Sequence, residues 1–106
     1  DILLVIWNTG CQPSTGALQA LAEISKSGAK IPIIPVSTAD SLTEVKDFYA
    51  KMNWDFPVYV DADKSIKWAF KANISPALYL INSEGVIIHR QLGLSEQGME
   101  FLAKWI

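Results

Sequence analysis

The stretch Ile2-Leu3-Leu4-Val5-Ile6-Trp7-Asn8-Thr9-Gly10-Cys11-Gln12-Pro13-Ser14 decides how the rest of the chain is read. The unbroken apolar run from Ile2 to Trp7, rich in branched residues, reads as a strand buried on both faces. Asn8, Thr9 and Gly10 end it. Pro13 suits the first turn of a helix, where its missing N–H costs nothing. Leu18, Leu21 and Ile24 follow at steps of three, and Gly28 stops the helix. Cys11, the chain's one cysteine, therefore falls between a buried strand and the mouth of a helix.

Outward from this segment the pattern continues. Ile31 to Val36 reads as a second buried strand; Pro32 and Pro35 mark it as an edge strand, or as one with a solvent-facing N–H side. Ser41-x-x-Glu44 is a capping box, and Leu42, Val45, Phe48, Tyr49 and Met52 form one helical face behind it. Phe56 to Val60 is a short extended piece. Asp63 is the expected cap of a short helix bearing Ile66, Ala69 and Phe70 on one side. After Ile74-Ser75-Pro76, Ala77 to Ile81 is an apolar strand. Asn82-Ser83-Glu84-Gly85 is a hairpin turn, and Val86 to Gln91 returns antiparallel. Ser95 caps a last helix, with Leu94 and Met99 at the positions of a hydrophobic staple and Met99, Leu102, Ala103 and Ile106 on its buried face. A β-α-β unit requires a right-handed crossover and a parallel pair, whereas the last two strands form a hairpin. The expected architecture is α/β: a mixed central sheet with helices on both faces.

The chain has 106 residues, which fits one domain over 1–106 and leaves no room for two. It opens abruptly inside a strand, which reads as a trimmed N-terminus. Half of the residues are apolar, enough for a real core, and the formal charge of −2 is mixed along the chain without a basic run. That argues against a nucleic-acid partner. No apolar stretch approaches the ~20 residues of a membrane span. A single cysteine cannot form an internal disulfide, so it is either a packed thiol or a reactive one.

Residues Trp7 to Ser14 resemble the W-x-x-x-C-x-P-C segment of thioredoxin-like proteins, and they lie where that family places it. Ile74-Ser75-Pro76, with the strand and turn through Gly85, resembles the family's cis-proline loop and the hairpin after it. Val36 to Asp61 looks like the TlpA/ResA branch, extracytoplasmic thiol–disulfide oxidoreductases that often serve cytochrome c maturation. The resemblance covers essentially the whole chain. It implies a thioredoxin-like fold, no cofactor, a monomer, a cysteine-containing protein substrate and a redox partner protein. Three departures stand out. Ser14 occupies the place of the second cysteine, Gly10 that of a tryptophan common before the first, and Val5 that of a buried aspartate. An acidic residue before the second helix is typical of the ResA-like branch, and Asp40 matches it.

The site expected from these readings centres on Cys11. Unpaired N–H groups and the dipole at a helix start favour its thiolate, the attacking species in disulfide exchange. Ser14 cannot resolve a mixed disulfide, but its hydroxyl can donate a hydrogen bond to the thiolate. It is either an exchange of Cys for Ser that traps a partner, or the mark of a natural one-thiol form. The resemblance makes Pro76 cis and leaves the backbone of Ser75 free to pair with an extended substrate segment. Asp40 is a candidate acid/base or electrostatic tuner, against a solvated helix-start acid. Trp7, Gln12 and Pro13 are candidate substrate contacts, Trp7 alternatively plain core. Two other functions remain open: a thiol peroxidase, and a binding module without turnover. Asn8 and Leu4 stand where peroxiredoxins place a threonine or serine and a proline.

No metal site is expected. His89 has no second histidine and no cysteine at ligand spacing. Asp61-x-Asp63-x-Ser65 lacks the glycine and the closing glutamate of a calcium loop. Asn73-Ile74-Ser75 matches a glycosylation sequon, but the following proline and the expected loop argue against its use.

Overall fold

The apolar run forms β1 (Ile2–Trp7), with Leu3 to Trp7 all buried. A computed structural model describes every residue from Asp1 to Ile106. β1 lies at the centre of a five-stranded mixed sheet. It pairs in parallel with β2 (Ile33–Ser37) on one side and antiparallel with β4 (Ala77–Ile81) on the other. β3 (Tyr59–Val60) extends the sheet beyond β2, and β5 (Ile87–Leu92) beyond β4, giving the order β3-β2-β1-β4-β5. Strands pair with both edges of β1 and helices cover both its faces, which is why its sequence does not alternate.

Four helices complete the chain: α1 (Gln12–Lys26), α2 (Leu42–Met52), α3 (Ser65–Ala69) and α4 (Glu96–Ala103). Their ends follow the local chemistry. Gly28 takes φ +96° just past α1, a conformation that costs glycine nothing. Both halves of the α2 capping box form: Ser41 Oγ accepts from the Glu44 N–H at 3.2 Å, and Glu44 Oε1 accepts from the Ser41 N–H at 2.9 Å. Ser95 Oγ accepts from the Gly98 N–H at 3.1 Å and starts α4.

The two faces of the sheet are covered unequally. On one face Leu3, Val5 and Trp7 pack with Leu18 and Leu21 of α1, Val45 and Tyr49 of α2, and Leu102 of α4. On the other, Leu4, Ile6, Val36 and Tyr79 meet Ile66 and Phe70, from α3 and its C-terminal cap, and Ala72 just beyond them. Helices lie on both faces as expected, but three share one face and a single five-residue helix serves the other.

Several boundaries differ from the sequence reading. β2 runs from Ile33 to Ser37 rather than from Ile31 to Val36, and it is not an edge strand. The Pro32 carbonyl accepts from the Leu3 N–H, and the Ser37 carbonyl accepts from the Asp61 N–H. Alternation then turns the donor-less nitrogen of Pro35 toward the β3 side. β3 first pairs at Val36, so no donor is needed there. Of Phe56 to Val60, only Tyr59 and Val60 pair. β5 runs from Ile87 to Leu92 rather than from Val86 to Gln91, with a register shift at Leu80/Ile81.

The start of α3 is also different. Lys64 is its N-cap, in the left-handed region at φ 62°, and its side chain caps nothing. The Asp63 carboxylate accepts from the Ser65 N–H, and hydrogen bonding to the backbone and side chain of Ser65 holds it below its ordinary pKa. Asp61, 5% exposed, is the carboxylate that receives the helix amides, from Ile66 at 3.1 Å and Lys67 at 2.8 Å.

Candidate active site

Chain direction assembles the site. β1 delivers the chain to a tight turn, Asn8-Thr9-Gly10-Cys11, closed by the Cys11 N–H to the Asn8 carbonyl at 3.4 Å. Cys11 is then the N-cap of α1, with φ −107° and ψ 105°, and Pro13 lies in the first helical turn. β4 runs antiparallel to β1 and pairs Ala77 with Ile6, so the residues just before Ala77 reach the same end of the sheet. Those residues are Ser75 and Pro76, joined by a cis bond as the resemblance implied. The Gly93 N–H, from the end of β5, ties down the Pro76 carbonyl at 2.7 Å.

Cys11 is half-buried, and its Sγ donates to the Ser75 carbonyl at 3.4 Å across 64 residues of sequence. The sulfur is thus neither sealed in the core nor remote from residue 76. Gln12 and Pro13 are exposed beside it. Ser75 Oγ is buried without a partner, although its backbone carbonyl faces the thiol.

Ser14 is completely buried, and its hydroxyl does not reach the sulfur. Oγ donates toward the Asn8 carbonyl at 2.9 Å and the Cys11 carbonyl at 3.0 Å, and accepts from the Asn8 N–H at 3.3 Å. A hydroxyl carries one hydrogen. With that hydrogen engaged by backbone carbonyls, the expected bond to a Cys11 thiolate is absent.

Asp40 does lie at the site, but it faces the turn and not the sulfur. Its carboxylate accepts from the Thr9 N–H and the Thr9 hydroxyl, both at 2.8 Å, and from the buried Ser37 hydroxyl at 2.7 Å. It is therefore not a solvated helix-start acid. Trp7 is not a surface residue: it is 0% exposed, packed against Phe48, Tyr49 and Trp54 with ring centroids 5.8, 6.0 and 5.9 Å away. It cannot touch a docked partner; it supports the turn from beneath. The sequence reading missed Asn8, Thr9 and Ser37 as partners of Ser14 and Asp40. The available signal was Ser37 and Thr38 following directly on the apolar run of β2.

The remaining concavities place the site in context. A groove of about 330 Å³ beside the turn is lined by Thr9 and by Glu44, Asp47, Phe48 and Lys51 of α2. Another, of about 380 Å³, runs from Pro13 along Gly16 and Ala20 of α1 to Leu94 and Met99. The largest, about 520 Å³, lies past the far end of α1, between Gly28–Ile34 and Asp55–Pro57. A 15-residue helix spans roughly 22 Å, so this cavity is remote from Cys11.

A strand-turn-helix that presents one cysteine to a cis-proline loop, on a mixed five-stranded sheet, defines a thioredoxin-like protein. The chain belongs to the Thioredoxin-like family, whose profile matches residues 2–87. Among curated proteins it is similar to the thiol-disulfide oxidoreductase ResA of Bacillus subtilis (strain 168), with 26% identity over 100 residues. The match covers 92% of this chain and 56% of ResA, so the chain spans about half the length of that relative. Among solved structures it is similar to StoA from Bacillus subtilis, with a TM-score of 0.84 and 19% identity over 98% of this chain and 80% of that one. A secreted disulfide oxidoreductase from Mycobacterium tuberculosis has a TM-score of 0.79 and 16% identity, over 99% of this chain and 81% of its own. These likenesses establish the fold anticipated from the sequence, and the curated relative comes from the ResA branch to which the motifs pointed.

Proposed function

We propose that this chain is a thiol–disulfide oxidoreductase that exchanges disulfides of partner proteins through Cys11. The observation that carries this reading is the placement of a half-exposed sulfur at the start of α1, 3.4 Å from the Ser75 carbonyl beside Pro76. The ResA likeness supports the same activity.

The chemistry balances with one sulfur in the protein. The Cys11 thiolate attacks a disulfide R–S–S–R′; the Cys11–S–S–R bond forms and R′–S⁻ leaves. The chain holds no second cysteine, so an external thiolate R″–S⁻ attacks next, returning the Cys11 thiolate and releasing R–S–S–R″. Ser14 stands in the resolving position without a resolving sulfur. Gln12, Pro13 and the Ser75–Pro76 backbone are the proposed substrate contacts, with Ser75 pairing to an extended segment in the manner of strand addition. The partners in this reading are a cysteine-containing protein substrate and a redox partner, and the place of work is outside the cytoplasm, as for the secreted mycobacterial relative.

The test uses the purified chain and its Ser14→Cys variant. Incubation with a small disulfide reagent should give a stoichiometric Cys11 adduct by mass, released by added thiol. Ser14→Cys should form a reversible internal disulfide and reduce insulin. A chain that yields no adduct, with a variant that shows no dithiol redox activity, would overturn the proposal. Rapid peroxide consumption through a Cys11 sulfenic acid would favour a thiol peroxidase instead.

A further inference from the structure

The turn that presents Cys11 is tied on two sides by groups that do not touch the sulfur. The Ser14 hydroxyl reaches back from α1 to both ends of the turn, bonding the Asn8 N–H, the Asn8 carbonyl and the Cys11 carbonyl. The Asp40 carboxylate holds the middle through the Thr9 N–H and hydroxyl, and is itself steadied by the Ser37 hydroxyl. Of the four turn residues only Gly10 is exposed. The Ser14 and Ser37 hydroxyls are both 0% exposed and out of reach of water, while Thr9 and Asp40 are half-buried. Hydrogen bonds to a carboxylate are also the stronger kind, and the Thr9 N–H bond at 2.8 Å and the Ser37 hydroxyl bond at 2.7 Å have lengths of that class.

An N-cap residue has non-helical backbone angles, so the helix alone does not fix where its side chain points. For Cys11 the direction follows from the turn before it. We infer that Ser14 and Asp40 are positioning residues, which preset the Asn8–Cys11 turn so that Sγ faces the Ser75 carbonyl before any partner docks. This assigns the two residues roles other than resolving thiol and proton acceptor. It rests on Cys11 being the exchanging sulfur. A preset sulfur matters most for a substrate that is itself held in one orientation, as an extended peptide lying along the Ser75 backbone is; attack on a freely tumbling reagent demands less alignment.

The experiment compares Ser14→Ala and Asp40→Asn with the parent chain, in two measurements. The first is the second-order rate of adduct formation with a peptide disulfide and with a small aromatic disulfide. In both variants the peptide-to-reagent rate ratio should fall on the order of tenfold, the scale of a modest misplacement at a reacting centre. The second is the infrared S–H stretch of the chain's one thiol, which should move toward the free-thiol frequency as the Ser75 contact is lost. An unchanged ratio and an unchanged band, with only the melting temperature lowered, would make both residues merely structural and overturn the inference. Should Ser14→Ala fail to fold, Asp40→Asn alone decides, because its half-buried carboxylate is replaced by a group of the same shape. A parent chain that never reacts with disulfides refutes the exchange reading, while the infrared band still tests the positioning.

Discussion

Tyr49 shows how one buried group ties this fold to pH. Its ring lies in the cluster beneath the active-site turn, stacked on Trp7 at 6.0 Å, and its hydroxyl donates to the Pro57 carbonyl at 3.2 Å. Burial raises its pKa well above the ordinary tyrosine value of about 10. The unfolded phenol loses its proton near pH 10, while the folded one keeps it. Above that pH the folded state binds more protons than the unfolded state, so stability falls as pH rises. Urea midpoints between pH 8 and pH 11 should show this decline in the parent chain and a shallower one in Tyr49→Phe. At neutral pH the variant should lose only ~1 kcal/mol, the worth of one hydrogen bond. Equal slopes would show that Tyr49 is not the titrating group. At this scale the sequence was informative about Cys11, Pro13 and Pro76, because a strand end, a helix start and a proline are local signals. It was not informative about Ser14, whose partners include a backbone six residues back that becomes reachable only once the turn closes. Nor did it decide Trp7, since the rings that enclose it come from residues 48–54.

At the scale of elements, α3 is the one whose stability depends on a single side chain. It has five residues, too few to persist by propensity. Asp61 anchors it: the carboxylate takes the Ile66 and Lys67 amides, and the Asp61 N–H is tied to the Ser37 carbonyl of β2. The helix in turn brings Phe70 onto Tyr79 at 4.8 Å, where the Tyr79 hydroxyl donates to the Phe70 carbonyl. Asp61→Ala should cost ~2 kcal/mol, the upper range for losing a helix cap, because two amides lose their acceptor at a buried position. Asp61→Asn keeps one acceptor and should cost about half as much. Chemical denaturation measures both, and amide exchange should show the Ile66 and Lys67 protons losing protection first. A cost near zero for the alanine variant would mean that water replaces the carboxylate. The sequence pointed to Asp63 for this role because it stands nearest the helical face. Asp61 took it because β3 ends at Val60 and turns the next side chain inward, a consequence of pairing with β2 that spacing alone does not carry. The capping box of α2 and the cap of α4 were legible because both are complete within four residues.

The whole molecule is a sheet with one thick and one thin cover. The parallel β1–β2 pair and the closing β4–β5 hairpin were readable in the chain, whereas the antiparallel pairing of β4 with β1, which joins the two, was not. The division of labour between faces was not, because an apolar strand buried on two sides gives no hint of what lies on each. The thick side joins α1, α2 and α4 around Leu18, Leu21, Val45 and Leu102, all fully buried. The thin side closes on α3 and the residues just after it, and leaves Ile81 only partly covered. Truncation on the two sides should therefore differ. Leu21→Ala removes a fully buried side chain from between α1 and the sheet and should cost ~2–5 kcal/mol. For a chain of this size that is a large share of a total of about 5–15 kcal/mol, and it should lower the melting temperature by about 10 °C or more. Ile81→Ala removes a similar volume but exposes less new apolar surface and should cost about 1 kcal/mol. Urea melts of the two variants at one pH give the comparison directly. Equal losses would mean that the thin side is as tightly packed as the thick one, and that the stability of this fold does not reside with the helix carrying Cys11.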